Sequence, residues 1–145
     1  MRMIITALMA LLMLGACQPK LIYVDKGYVR LAAVKGQPSV AYFTIHGSGK
    51  DNTLLSVSSE YAIRTEMHES MTSNGIASMK PVDHLALPAD GTIEFKPGGR
   101  HVMLFDINPE IVPGRTLALR LTFTDGTQLE DPALVIAPGA TPPSG

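Results

Sequence analysis

Cysteine, tryptophan and net charge are all scarce in this 145-residue chain. It holds one cysteine and no tryptophan, and its formal net charge is −1. A single cysteine excludes a disulfide within the chain and any CxxC redox motif. The balanced charge gives no electrostatic reason to expect nucleic acid or an anionic membrane surface as a partner. Aromatic residues make up only 6% of the chain, so leucine, valine, isoleucine and alanine must fill the core.

The N-terminal segment resembles a bacterial lipoprotein signal. Arg2 supplies a positive start, and Ile4–Leu14 is an apolar run too short to cross a bilayer comfortably. The run ends in Leu14-Gly15-Ala16-Cys17, which resembles a lipobox, where the cysteine is acylated and the chain is cut just before it. The alternative is an ordinary secretory signal with a coincidental cysteine. Acylation of Cys17 would remove its thiolate, and with it cysteine nucleophiles and Cys-ligated metal sites.

This interpretation divides the chain into four parts. Residues 1–16 are expected to be the signal peptide, and residues 17–27 the lipidated cysteine with a short tether. One domain is predicted over residues 28–137, followed by a disordered tail over residues 138–145. The mature chain is expected in the cell envelope, facing the periplasm and held to a membrane through Cys17. Gln18, rather than aspartate, follows Cys17, which favours the outer membrane in a two-membrane bacterium.

The rest of the chain has the period of β-strands. Thr116–Thr124 alternates strictly between apolar and polar residues, and Asp125-Gly126 then signals a hairpin turn. Several such runs with turns between them predict a single all-β sandwich or barrel. Glu69–Gly75 is expected to be a loop. The expected strands are Ser39–Thr44, Thr53–Ser58, Ala62–Met67, Ile76–Val82, Thr92–Phe95, Arg100–Ile107, Thr116–Thr124 and Gln128–Val135.

Once the predicted signal peptide is set aside, all four remaining methionines and three of the four histidines lie in one window, between residues 67 and 103. His101 and Met103 are two residues apart on an expected strand, so their side chains project from the same face. Ten residues separate His68 from Met79, and the two lie on segments that a hairpin can bring side by side. The two segments could therefore each offer an imidazole and a thioether to a common point.

The chemistry of these donors selects the metal. Thioether sulfur is a soft, neutral ligand that favours Cu(I), whereas zinc prefers thiolate, imidazole and carboxylate, and calcium and magnesium prefer oxygen. The sequence therefore predicts a Cu(I) site formed by His68, Met79, His101 and Met103. Such a site needs neither an open coordination position nor a catalytic base, which favours transport over catalysis. The alternative, in which the methionines only pack, stays open.

Other residues near the predicted site have competing interpretations. Met71 is either an auxiliary metal ligand or a methionine that packs under its loop. Glu66 and Glu69 either orient the imidazole of His68 or are simply solvated. The remaining candidates are expected to be structural: Met67 in the core, and His46 and His84 at the surface.

The spacing His68-x10-Met79-x21-His101-x-Met103 resembles the H-x10-M-x21-H-x-M motif of the periplasmic Cu(I) chaperones known as PCuAC or DUF461 proteins. The resemblance covers about residues 29 to 135. It implies a cupredoxin-like, Greek-key β-sandwich that binds one Cu(I) and delivers it toward the CuA centre of cytochrome c oxidase. Oxidase subunit II, or another copper chaperone, is the implied partner. Flanking segments are similar too: Ala41–Gly49, Glu66–Ser70, Met79–His84 and Phe95–Leu104.

Two other functions are compatible with the sequence. One is an envelope lipoprotein whose β-sandwich binds a protein or has a structural role, and the other is general copper buffering or tolerance. The sequence shows no Ser/His/Asp arrangement with supporting glycine motifs, no recognisable pair of catalytic carboxylates and no phosphate-binding loop, so we do not expect an enzyme. A monomer is expected.

Overall fold

The computed structural model describes residues 18–144, so the predicted signal peptide and the lipidation site Cys17 lie outside the described residues. Residues 18–144 form ten strands and no helix, and none of this part provides a helix suited to crossing a membrane. The strands are β1 (Tyr23–Arg30), β2 (Ser39–His46), β3 (Asn52–Ser58), β4 (Ala62–Ser73), β5 (Ile76–Pro81), β6 (Leu85–Leu87), β7 (Thr92–Phe95), β8 (Arg100–Ile107), β9 (Thr116–Phe123) and β10 (Gln128–Ile136).

The ten strands form one hydrogen-bonded sheet in the order β5-β4-β8-β7-β2-β1-β10-β9-β3-β6, and β8 also pairs with β2. The sheet folds over so that its two halves face each other. Strands from opposite halves meet where the Thr65 hydroxyl of β4 donates to the Val57 carbonyl of β3 at 2.5 Å. The result is a β-sandwich with crossover connections between non-consecutive strands, which confirms the predicted cupredoxin-like architecture.

Apolar side chains that alternate along the strands fill the space between the layers. In β9, Leu117, Leu119, Leu121 and Phe123 are all fully buried, as their alternation predicts. The few aromatics sit at the centre, where the rings of Phe43 and Phe95 stack with centroids 4.4 Å apart. Aliphatic side chains make up most of the rest of the core, as the composition requires.

Strand β1 begins inside the segment predicted to be a tether. Tyr23–Arg30 pairs with β2 and β10, and Ile22 just before it belongs to the core. The tether prediction is therefore wrong for residues 22–27. Alternation hid this strand because its register against β2 shifts between Asp25 and Tyr28, where Lys26 has a φ of 57°. The short strand β6 was also not predicted.

The predicted loop over residues 69–75 is mostly strand. β4 continues to Ser73, and a two-residue turn, Asn74-Gly75, leads directly into β5. Both turn residues have positive φ, 50° and 75°, as a type I′ hairpin turn requires. The alternation of apolar residues stops after Met67, because beyond this point the β4–β5 hairpin extends past the core. There the two strands are held by their backbone pairing alone.

The tail follows β10 without another strand over residues 138–144. It is not wholly detached from the domain, because the Arg30 guanidinium donates a hydrogen bond to the Ala140 carbonyl at 3.0 Å.

Candidate metal site

Strands β4 and β8 place the two predicted histidine ligands side by side. Their antiparallel register pairs His68 with His101 and Glu66 with Met103. Directly paired residues project from the same face of a sheet. The two imidazole rings accordingly lie with their centroids 6.0 Å apart and their planes 29° from parallel. His68, His101 and Met103 therefore share one face.

Strand β5 adds the second thioether to that face. Met79 pairs with Ser70, which lies two residues after His68 and so projects from the same face of β4. Met79 is thus a diagonal neighbour of His68, a relation that places the two residues about 7–8 Å apart, within reach of long side chains. Met71 pairs with Ser78 instead and projects from the opposite face. The register brings four of the five predicted metal-site residues together and leaves Met71 out.

The four side chains differ in their access to solvent. His101 is only 6% exposed, and the side chain of His68 is 15% exposed. Met79 is 56% exposed, and Met103 is intermediate. His101 occupies an outward-facing strand position, as expected from buried Val102, but it is covered rather than solvated. At the candidate site the two imidazoles are therefore largely covered, whereas the side chain of Met79 is exposed to solvent.

Hydrogen bonds orient both imidazole rings. The Nδ1–H of His101 donates to the carbonyl of Gly99 at 3.0 Å, which leaves Nε2 of the neutral ring with its lone pair. His68 donates from Nε2 to a carboxylate oxygen of Glu66 at 3.0 Å, which leaves Nδ1 with the lone pair. Nδ1 of His68 is buried and has no hydrogen-bond partner among the described residues. Each ring thus retains one nitrogen that can bind a metal.

Glu66 is itself held in place by Arg64. The two side chains form an ion pair, and the Arg64 guanidinium lies 3.8 Å from the centroid of the Phe105 ring. Of the two carboxylates that flank His68, Glu66 contacts the imidazole, while Glu69 projects from the opposite face of β4. The sequence did not identify Arg64 or Gly99 as part of this arrangement. An arginine side chain and a backbone carbonyl are not metal ligands of the kind that make up the motif.

The proposed donors on this face, two imidazoles and two thioethers, are neutral, and the carboxylate of Glu66 beside them is engaged by His68 and Arg64. Within residues 18–144 no three His, Cys, Asp or Glu side chains converge into a metal-holding group. That composition disfavours zinc, calcium and magnesium, and two imidazoles with two thioethers suit Cu(I) best. The other histidines take no part: His84 is exposed, and His46 stacks on Tyr23 and contacts Asp25 at 3.1 Å.

Solved structures place the fold in the PCuAC class. The chain is similar to the "Copper-bound PCuAC domain from PmoF2", with a TM-score of 0.67 and 20% identity over 83% of this chain and 97% of that one. It is also similar to the solution structure of apo-DR1885 from Deinococcus radiodurans, with a TM-score of 0.62 and 28% identity over 83% of this chain and 81% of that one. These likenesses confirm the fold that the sequence resemblance implied.

The chain belongs to the family described as "Putative lipoprotein LpqE-like", which residues 22–135 match. A protein of Rickettsia prowazekii (strain Madrid E), RP573, is 32% identical over 62% of this chain and 51% of its own length. The "Putative lipoprotein Lxx21020" of Leifsonia xyli subsp. xyli is 28% identical over 73% of this chain and 64% of its own length. The chain thus matches between half and two thirds of the length of these relatives.

Proposed function

We propose that this protein is an extracytoplasmic copper chaperone that binds one Cu(I) through His68, Met79, His101 and Met103 and passes it to a protein partner. The observation that carries the proposal is the strand register, which aligns all four side chains on one face of β5, β4 and β8. The buried Nδ1 of His68, which has no hydrogen-bond partner among the described residues, supports it further because its lone pair is available to a metal.

The structural relatives support copper as the cargo. One similar structure is named as a copper-bound PCuAC domain. Another, the solution structure of CuI-DR1885 from Deinococcus radiodurans, is 25% identical, has a TM-score of 0.59 and covers 86% of this chain and 81% of that one. The donor set of the present chain suits the same ion, since neutral imidazole and thioether ligands favour Cu(I) over Cu(II).

Each residue has a distinct role in the proposed site. His68 and His101 offer the nitrogens that their hydrogen bonds to Glu66 and Gly99 leave free. Met103 and Met79 offer soft sulfur without a proton that must leave. Because Met79 is the most exposed of the four, an incoming or departing copper ion meets it first. None of these roles is catalytic, and we assign the protein no enzymatic activity.

The proposed location is the cell envelope. The match to a family described as lipoproteins supports a lipid anchor at Cys17. Such an anchor would hold the domain facing the periplasm, and Gln18 after the cysteine favours the outer membrane. The candidate acceptors are the CuA centre of cytochrome c oxidase subunit II, which the sequence resemblance implies, and another copper chaperone. General copper buffering uses the same site without a dedicated acceptor.

A Cu(I) competition titration against a chromophoric chelator tests the site. We expect His101→Ala and Met103→Leu to weaken Cu(I) binding by at least about tenfold, since even residues beyond the ligands typically contribute that much. Leucine preserves the volume of methionine, so packing changes little. Met71→Leu is the matched control, because Met71 lies on the opposite face and should leave the affinity unchanged. Equal copper binding by all these proteins would show that the site assignment is wrong.

A further inference from the structure

Strand β5 has a free edge next to the proposed copper site. It is the first strand in the order of the sheet, and all six of its residues are exposed. The Val82 N–H donates to the Met67 carbonyl at 2.9 Å, which sets the phase of the β4–β5 ladder. Hydrogen-bonded and non-hydrogen-bonded pairs alternate along an antiparallel ladder. Ser78 and Lys80 therefore turn their backbone groups toward β4.

The intervening residues turn their backbone groups outward. Ala77 and Met79 each direct an N–H and a C=O away from β4, and no strand among residues 18–144 pairs with β5 on that outer side. Pro81 occupies the next outward position and offers only a carbonyl. An unpaired edge of this kind is a template for an added strand. Pro81 limits the template to a short segment centred on Ala77 and Met79.

A strand added here would reach the copper face directly. The residue placed opposite Met79 would exchange two backbone hydrogen bonds with it and project from the same face, with Cβ atoms about 4.5–5.5 Å apart. We infer that the free edge of β5 docks an extended segment of the copper acceptor in antiparallel register and places an acceptor methionine opposite Met79. This inference rests on the proposed function and names how the partner approaches its site.

The transfer step balances without redox chemistry. In the first exchange, the acceptor thioether donates a lone pair to Cu(I), and the bond between copper and the Met79 sulfur breaks. Further donors of the acceptor then replace the remaining three ligands one at a time. Copper keeps its +1 charge, and no proton moves because both thioethers are neutral. Met79 suits this exchange since it is both the most exposed of the four proposed ligands and the one on the edge strand.

The test changes the outer edge of β5 and leaves the four proposed copper ligands unchanged. Ala77→Pro removes the outward N–H, and Pro81 already shows that β5 accommodates proline at an outward position. Ala77→Thr is the matched control, because it keeps that N–H. The acceptor probe is a synthetic extended peptide of alternating threonine and valine in which methionine takes three successive positions of one face, and the same peptide with norleucine at those positions controls for the sulfur. Stopped-flow transfer from the Cu(I)-loaded mature chain is measured for each variant.

We expect Ala77→Pro to slow copper transfer to the methionine peptide by at least about tenfold, because a backbone hydrogen bond and a close approach are lost. Its affinity for Cu(I) against the chelator should equal that of wild type, which also shows that the hairpin is intact. Ala77→Thr should transfer at the wild-type rate. In the wild type, the methionine peptide should protect the Ala77 and Met79 amides from hydrogen exchange.

Two results would overturn the inference. One is transfer by Ala77→Pro at the wild-type rate with no amide protection in the wild type. The other is a copper-independent dimer in sedimentation that Ala77→Pro abolishes, which would assign the edge to a second copy of this chain. Failure of the proposed function looks different, because the wild-type protein would then fail to take Cu(I) from the chelator at all.

Discussion

At the scale of single residues, Glu66 determines which nitrogen of His68 carries the proton. Its carboxylate accepts the Nε2–H of His68 while Arg64 holds it from the other side. This keeps the lone pair of the neutral imidazole on Nδ1, the buried nitrogen without a partner. Glu66 is a positioning residue, since it acts through His68 and is not proposed to touch the metal.

Replacing Glu66 should therefore change the tautomer of His68 as well as copper binding. We expect Glu66→Ala to weaken Cu(I) affinity about 10–100-fold, the usual effect of losing a group that orients a histidine ligand. Glu66→Gln should restore most of the affinity, since its amide oxygen still accepts a hydrogen bond. Nitrogen NMR of the imidazole should show more Nδ1–H in the alanine variant. An unchanged tautomer together with unchanged affinity would contradict the role.

Asp131 is a second residue with an unusual environment, because its carboxyl group is buried in the protein. Its side chain takes an inward-facing position of β10 beside Gly27, where no side chain competes for the space. Its Oδ2 is buried and has no hydrogen-bond partner among the described residues. Burial, and then the nearby charge of Asp25, raise the pKa of the Asp131 carboxyl.

The raised pKa of Asp131 predicts that ionisation of its carboxyl lowers the stability of the folded protein. The folded protein holds the Asp131 proton more tightly than the unfolded chain, so stability is lost as pH rises from the unfolded pKa through the folded one. We expect Asp131→Asn to melt at a higher temperature than wild type at pH 7, and the difference to shrink as pH falls toward 4. Thermal unfolding across this range measures it, with exposed Asp83→Asn as control. A difference independent of pH would contradict the assignment.

At the scale of secondary-structure elements, the β4–β5 hairpin connects the fold to its function. Its base includes core residue Met67, whereas its outer part bears only exposed or half-exposed side chains. The Asn74-Gly75 turn determines its register, and that register aligns Met79 with the histidines. The hairpin can therefore be perturbed without disturbing the core of the sandwich.

Gly75→Ala should separate copper binding from overall stability. A side chain at a φ of 75° strains the turn by about 1–3 kcal/mol, which the hairpin relieves by local rearrangement. We expect weaker Cu(I) binding with a melting temperature close to that of wild type, because the core does not depend on the turn. Asn74→Gly is the matched control, since glycine accepts positive φ. Equal copper affinity of Gly75→Ala and wild type would show that the turn does not set the site.

At the scale of the whole molecule, binding and folding are linked. The proposed ligands come from three strands, so the site exists only when β4, β5 and β8 are assembled in register. Any ion that binds the folded chain and not the unfolded one must raise its stability. This linkage distinguishes a copper carrier from an envelope module whose methionines only pack.

Stoichiometric Cu(I) should therefore raise the melting temperature. Free Cu(I) at 100 times its dissociation constant would stabilise the folded state by about 2.7 kcal/mol, or about 10 °C for a domain of this size. The measurement is thermal unfolding under reducing conditions, with and without Cu(I). His101→Ala should lose most of the shift. A wild-type melting temperature that does not change when Cu(I) is added would favour the protein-binding or structural alternative.

Much of the fold was predictable because strands of the sandwich alternate between core and solvent. The prediction was good where the core covers one face of a strand, as in β9, whose bounds differ from the expected ones by one residue. The predicted strand boundaries were wrong where a strand extends beyond the core or where its register against its neighbour shifts. The bulge in β1 and the core-free extension of β4 both remove the alternation on which the prediction depends.

The kinds of donor atoms, and the projection of His101 and Met103 from one face of β8, follow from the sequence alone. Both are local properties, since the period of a strand aims residues two apart in the same direction. Three other features follow from the assembly of the strands: His68 lies opposite His101, His101 is buried, and Met71 projects from the opposite face. These depend on the register between strands far apart in the chain, which turns and core packing set together, and a shift of one residue would reverse each face.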